Sequence, residues 1–346
     1  MSVNVSSFGK MPGGEEVSLF TIENKNGMRI AVTDFGAILV SVFVKGKDGV
    51  ERDVVLGYDK VDSYFEDGNC FGATVGPIAN RTKDAKFSID GVEYHLDKND
   101  GENNLHTSHP NGFQKRLWNA EAKENAVSFS LKKADMDMGH PGNLFVTVTY
   151  TLTDENEIKI HYHADTDKET LINLTNHTYF NLNGHQAKEV YDEFLTLNCS
   201  AYTPDVAGAI PTGEIAPVKG TPMDFTSAKK VGEEIASGFE QLELVKGYDH
   251  NFCIDGWDHT LREFATVEDK ESGIIMKCFT DLPGVQFYTG NHVGAVCGKE
   301  GVVYGARRGL CLETQYYPNS ANQEGFPKPQ FGPKTPYDST TIYKFI

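Results

Sequence analysis

The sequence predicts an all-β protein, a large antiparallel β-sandwich with few short helices. Three observations lead there. Runs with an apolar residue at every second position recur along the chain. Several of these runs are joined by short clusters of turn residues, as in β-hairpins. Helical periodicity is scarce: the best stretch, SAKKVGEEIAS at 227–237, carries an internal glycine and few apolar positions, so at most a short surface helix is expected there.

The elements follow in chain order. ILVSVFV at 38–44 is short and β-branched, as in a strand buried on both faces. KFSIDGVEYHL at 86–96 is a hairpin: Asp90-Gly91 tolerates the positive φ angles of a two-residue primed turn, with Phe87, Ile89, Val92, Tyr94 and Leu96 alternating around it. AVSFSLK at 126–132 alternates Val127, Phe129 and Leu131. LFVTVTYTL (144–152) and EIKIHYHA (157–164) form a second hairpin across Asp154-Glu155-Asn156. GIIMKCFTD (273–281), GVQFYTG (284–290), GLCLETQYY (309–317) and TTIYKF (340–345) repeat the style. The 34 glycines and 14 prolines are spread as many turns require, and no linker divides the 346 residues, so one domain over 1–346 is expected. Such a size exceeds the usual sandwich, so the sheets must be long or numerous.

Charge and targeting features narrow the function. Lys plus Arg is 32 and Asp plus Glu is 49, a net charge of −17, which disfavours nucleic acid and anionic membrane surfaces as partners. The longest apolar stretch, 37–44, is far below the roughly 20 residues that span a bilayer. MSVNVSSFGKMPGG has neither the basic nor the apolar part of a signal peptide, and the six cysteines are scattered with no C-x-x-C pair. A cytoplasmic protein with reduced thiols is expected.

Cofactor motifs are missing. No G-x-G-x-x-G, Walker A, H-E-x-x-H or G-x-S-x-G occurs, so no nucleotide cofactor is expected. His161 and His163 share one strand face with Lys159 and Asp165. No third ligand lies nearby in sequence, so this reads as a solvated face and no metal is expected.

Six segments are polar where a β protein should be monotonous: GPIANRTKDAKF (76–87), NNLHTSHPNGFQKRLW (103–118), LINLTNHTYFNLNG (171–184), KGYDHNFCI (246–254), LPGVQFYTGN (282–291) and GLCLETQYYP (309–318). In the last, alternation places Cys311, Glu313 and Gln315 on one face and Leu310, Leu312, Thr314 and Tyr316 on the other. Glu313 is then either a partly desolvated carboxylate, a stronger base when ionised, or a solvent-facing residue of an edge strand. The segment alone leaves both open. Trp118 and Trp257 read as core or rim, and His109, His185 and His292 as surface or loop residues.

In this order and with these neighbours, GPIANR, NNLH followed by GF and W, TNHTYFNL, GYDHNF, PGVQFYTGN and LETQYYP resemble the galactose mutarotase (aldose 1-epimerase) family, from about residue 15 to the C-terminus. One departure is that Thr107-Ser108 follow His106, where family members commonly have glycine. The resemblance implies the mutarotase-type supersandwich and a cofactor-independent, metal-free isomerase of hexose anomers such as those of D-galactose and D-glucose. By resemblance, Glu313 is the base toward O1–H and His177 the acid toward the ring oxygen, with Glu313 ionised while His177 is protonated. Arg81 and His106 resemble the sugar-binding pair, Asp249 an acceptor for two hydroxyls, and Asn80 and Gln286 amide contacts. The expected partner is a small monosaccharide and the expected assembly a monomer or weak homodimer. Rival readings are a non-catalytic carbohydrate-binding protein, a hexose-6-phosphate epimerase and, remotely, a glycosidase with Asp249 and Glu313 as its carboxylates.

Overall fold

In the computed structural model, which describes residues 3–346, the predicted strands assemble into three principal antiparallel sheets. A five-stranded meander runs from Val3–Lys10 through Glu16–Glu23, Arg29–Thr33 and Ile38–Lys45 to Glu51–Asp53. A nine-stranded sheet has Leu144–Leu152, Glu157–Thr166, Tyr337–Phe345 and Ile275–Thr280 as its middle strands. A second five-stranded sheet is ordered Ala216–Pro217, Ala201–Tyr202, Asp249–Cys253, Gly284–Tyr288, Cys311–Gln315. This is an all-β sandwich architecture, with two short α-helices, Asp62–Phe65 and Glu240–Val245.

The hairpins follow their turn chemistry. Ile89 pairs with Val92, and Asp90 and Gly91 between them both have positive φ (50° and 80°), as a primed turn requires. Asn156, φ 61°, closes the hairpin between Leu144–Leu152 and Glu157–Thr166.

No helix forms at 227–237, where a short one at most was expected. Lys229–Lys230 instead adds to the edge strand Phe194–Leu197, with the Lys229 ammonium over the Phe225 ring and that of Lys230 over Phe194. These contacts win because Gly232 costs a helix about 1 kcal/mol and the segment offers no continuous apolar stripe. No helix among the described residues is long and apolar enough to cross a membrane.

The main core lies between the nine-stranded sheet and the second five-stranded sheet. Val148, Tyr150, Ile160 and Tyr162 meet Phe252, Val285, Phe287 and Leu312 in one apolar cluster. Tyr343 donates its hydroxyl to Leu312 O at 2.9 Å, and the Thr314 and Thr341 hydroxyls are 2.5 Å apart, so these two sheets stack face to face. Leu312 and Thr314 therefore face this core. The alternate residues, Cys311 and Glu313, emerge on the other side of their strand.

Candidate active site

Six of the seven residues singled out in the sequence line one pocket of about 180 Å3: Asn80, Arg81, His106, His177, Asp249 and Glu313. That is smaller than the roughly 300–1,000 Å3 of sites for drug-sized ligands and suits one small polar molecule. A wider cleft of about 440 Å3 adjoins it through Gly68 and His109. The cation in that cleft, Lys115, is committed to the carbonyls of Tyr64, Phe65 and Asp67, so the titratable side chains converge in the smaller pocket.

Each pocket side chain is held by its own backbone. His177 follows Thr175–Asn176, which pairs with Thr74–Val75; its N–H bonds Ala73 O at 2.9 Å, and its carbonyl accepts from Gly72 at 3.0 Å. Only glycine fits at 72, where φ is +67° and an added Cβ would lie 2.1 Å from Leu39 O. The His177 ring stacks on Tyr179 (centroids 5.0 Å, 23°) and meets His106 edge-on at 5.4 Å. Arg81–Thr82 pairs with Asn104–Leu105, which sets Arg81 beside His106. Glu313 lies on Cys311–Gln315, an outer strand of its sheet whose five residues are all buried. The solvent-facing alternative for Glu313 is thereby excluded; it is 3% exposed.

Backbone strain gathers here. Cys70, Asn80, His106 and Thr107 all have φ between 55° and 64°, a conformation that costs a non-glycine residue roughly 1 kcal/mol. Thr107 offsets the strain through its hydroxyl, which donates to Ile78 O and accepts from Ile78 N, both at 2.9 Å.

Hydrogen bonds fix the protonation pattern. His106 Nδ1 accepts the Asn80 N–H at 3.1 Å, so its hydrogen sits on Nε2. His177 Nε2 lies 3.7 Å from Glu313 Oε1, and its Nδ1 lies 3.6 Å from Cys311 Sγ. Arg81 Nε bonds Asp100 at 2.8 Å; its two terminal nitrogens make no protein hydrogen bond among the described residues. Asp249 Oδ1 accepts from Gln286 Nε2 at 2.7 Å. Gln286 is the one expected residue absent from the pocket wall; it stands behind Asp249, cross-strand from Glu313.

Burial governs the charges. Burial raises the Glu313 carboxyl well above the ordinary range; the charge of Asp249 adds to this and Arg81 partly offsets it. Burial lowers His177 to about 4. His106 is held well below its usual value by burial, then by His177 and Arg81. Burial opposes the Arg81 charge, but Asp249, Asp100 and Asp205 outweigh it. In the protein alone, Glu313 and His177 are therefore both biased toward their uncharged forms.

His106, His177 and Glu313 bring candidate ligand atoms within 4.8 Å of one another. A metal-ligating histidine normally donates its other ring N–H to an acceptor. His106 Nδ1 faces a donor instead, which places the hydrogen on Nε2. The trio suits proton transfer better than a cation.

The pocket also contains residues that sequence reasoning passed over. Tyr179 and Tyr288 line it and lie inside the motifs TNHTYFNL and PGVQFYTGN, so the signal was present. Asn69 and Cys70 come from a turn organised by Asp67, which accepts the Asn69 and Phe71 N–H groups. His109 and His292 rim the pocket, whereas His185 is buried against the Tyr304 hydroxyl rather than at the surface. Trp118 is core and Trp257 is partly buried beside it. Asp205, near Asp249 and Arg81, is a buried carboxyl raised by its burial and by Asp249. All six cysteines are unpaired, and only Cys297 is exposed.

Comparison with known proteins shows what the whole chain is similar to. The family model described as aldose 1-epimerase matches residues 18–344. A galactose mutarotase from Rattus norvegicus is 39% identical over 348 residues, covering 100% of this chain and 99% of the rat protein. An aldose 1-epimerase from Escherichia coli is 36% identical over 338 residues, 97% of each chain. Among solved structures, an aldose epimerase homologue from C. elegans superposes with a TM-score of 0.88 at 30% identity, covering 95% of this chain and 99% of that one. A galactose 1-epimerase from Lactobacillus acidophilus gives 0.87 at 27% identity, covering 100% and 99%.

Proposed function

The chain belongs to the aldose 1-epimerase family, and we propose that its pocket interconverts the α- and β-anomers of free hexoses such as D-galactose and D-glucose through Glu313 and His177. The observation that carries this reading is a carboxylate and an imidazole 3.7 Å apart, both buried, in a pocket of one-sugar size.

The chemistry needs one base and one acid. Glu313 takes the proton of O1–H as His177 Nε2–H gives its proton to O5; the C1–O5 bond breaks and C1=O1 forms. Rotation about C1–C2 presents the other carbonyl face. Glu313 then returns its proton to O1 while His177 recovers the one on O5, and the ring closes inverted at C1. Before opening the pair is carboxylate and imidazolium; after opening it is carboxylic acid and imidazole. Both states hold one proton between the two groups. Burial favours the second state, and the Arg81 cation favours the first. Positioned transfer of this kind is worth roughly 10²–10⁴-fold in rate.

The hydrogen bonds support the division of labour between the histidines. Protonating His106 would set an N–H against the Asn80 N–H, so His106 acts as a fixed Nε2–H donor to a sugar oxygen. His177 Nδ1 faces the Cys311 sulfur rather than a backbone N–H, so the ring can take a second proton and His177 has the acid role. Arg81, with its terminal nitrogens free, and Asp249, with Oδ2 unengaged, hold hydroxyls. Asn80 lines the same wall. Gln286 acts by orienting Asp249. Among the described residues lining the pocket Arg81 is the only Arg or Lys, and it faces Asp249 and Glu313; this disfavours a hexose 6-phosphate. One domain, a cytoplasmic setting and a monomer or weak homodimer complete the proposal.

Polarimetry on fresh α-D-galactose tests it. The wild type accelerates the decay of rotation, and Glu313→Gln loses about 10²–10⁴-fold while binding galactose within a few-fold. His177→Asn loses turnover similarly. A fully active Glu313→Gln overturns the assignment, and a wild type no faster than buffer favours a binding protein.

A further inference from the structure

His161 and His163 take no part in the pocket chemistry. Neighbouring sequence offers them no third ligand, but the fold does. Glu157–Thr166 pairs with Tyr337–Phe345, and His163 lies directly opposite Asp338, 175 residues away in the chain. His161 Nε2 is 3.2 Å from both Asp338 carboxylate oxygens, and His163 Nδ1 is 3.1 Å from Oδ2. One carboxylate thus stands between two imidazoles. The other nitrogen of His163, Nε2, is 3.4 Å from Asp165. Asp281, which accepts the Thr340 N–H, adds a further carboxylate near Asp338 and His161. Ile160 and Tyr162 face the core, so His161 and His163 point away from it, on the opposite side of the sandwich from Glu313.

We propose that His161 Nε2, His163 Nδ1 and the Asp338 carboxylate form a binding site for a divalent transition cation such as Zn²⁺, on the outer face of the nine-stranded sheet. Two imidazoles and a carboxylate are an established ligand set for such ions, with water completing the shell. The carboxylate lies between the two ring nitrogens, so a cation held by all three draws them together; the side chains are partly exposed and can rotate to follow. A metal-ligating histidine normally donates its remaining N–H to an acceptor. With Nδ1 on the cation, His163 keeps its hydrogen on Nε2, where Asp165 accepts it. The surrounding carboxylates offset the charge of the ion. Hard cations such as Mg²⁺ prefer oxygen ligands, so the imidazoles select against them. The bound cation ties Tyr337–Phe345 to Glu157–Thr166 and stabilises the folded chain by mass action.

The test is calorimetric titration of chelator-treated protein with Zn²⁺ at about pH 7.5, where an ordinary imidazole is neutral and free to bind metal, together with thermal unfolding in the same solutions. The wild type binds Zn²⁺ and its Tm rises with Zn²⁺ concentration. Asp165→Asn weakens binding about 10-fold, the cost of removing an outer acceptor. His163→Gln and Asp338→Asn, which remove ligands, weaken it further and abolish the rise in Tm. Mg²⁺ in place of Zn²⁺ gives neither heat nor shift. Equal Zn²⁺ binding in the wild type, His163→Gln and Asp338→Asn puts the cation elsewhere and overturns the proposal. So does a wild type whose titration and Tm ignore Zn²⁺, a result that needs no variant, or one that responds equally to Mg²⁺. None of these readouts depends on anomerisation, so the proposal stands or falls apart from the pocket chemistry.

Discussion

Replacing Gln286 with Met removes a hydrogen-bond donor and keeps most of the side chain's length. Gln286 Nε2 donates to Asp249 Oδ1 at 2.7 Å, while its Oε1 accepts from Gln315 Nε2 at 3.0 Å; Gln315 also donates to Asn251 at 3.2 Å. All four residues are buried, so water cannot easily replace the lost partner. A hydrogen bond to a charged group contributes about 1.5–3 kcal/mol. Taking about 2 kcal/mol as the loss in holding Asp249 toward the sugar, KM rises about thirty-fold. The Gln315 amide, left short of a partner, adds a stability loss of about 1–3 kcal/mol. The assay is a double-mutant cycle by polarimetry on wild type, Gln286→Met, Asp249→Ala and the double variant. If Gln286 acts through Asp249, the double variant has the KM of Asp249→Ala alone. Two losses that multiply would mean that Gln286 meets the sugar directly, as the sequence suggested, and an unchanged KM would mean that Asp249 needs no support.

Other perturbations follow from burial and charge. Arg81→Lys keeps a cation but cannot hold Asp100 and two hydroxyls at once, so KM should rise about 10- to 100-fold with a smaller change in kcat; an unchanged KM contradicts the role given to its fork. Glu193 is buried, accepts the Leu182 N–H and is pushed up to about 8 by its burial. Its folded value lies above its unfolded one, so its contribution is full below pH 4.5 and lost as pH rises toward 8. Glu193→Gln should therefore gain on the wild type over that window by up to about 1.4 kcal/mol per pH unit; a constant difference in urea midpoint contradicts this. His140 has the opposite sign: burial holds it at about 3, so the unfolded chain takes up the proton first and stability falls in acid below pH 6.5. His140→Asn should improve relative to the wild type by up to about 2 kcal/mol between pH 6.5 and 5, which the same titration checks.

The strands were legible in the sequence because alternation with period two is a local signal, and the Asp90-Gly91 turn states its own geometry. Their partners were not. That Gln286 lies opposite Glu313, or that Cys311–Gln315 is an outer strand yet fully covered, depends on pairing and packing with other segments of the chain. For that reason the desolvation of Glu313 stayed undecided until the sheets were assembled. Arg81, His106 and Asp249 were visible through their motifs. Gln286 was visible too, but its task was not, because whether an amide faces a ligand or props up a carboxylate turns on side-chain geometry. The lysine-rich stretch at 227–237 failed as a helix because an available sheet edge outweighed weak propensity. His109 and His292 looked like loop residues, and they are; the loops happen to rim the pocket.

The most direct measurement is a crystal structure of the protein with galactose bound. O1 should lie within about 2.6–3.2 Å of a Glu313 carboxylate oxygen and O5 within the same reach of His177 Nε2, on opposite sides of the anomeric carbon. A sugar whose anomeric end points away from both side chains, or that binds outside their pocket, contradicts the account.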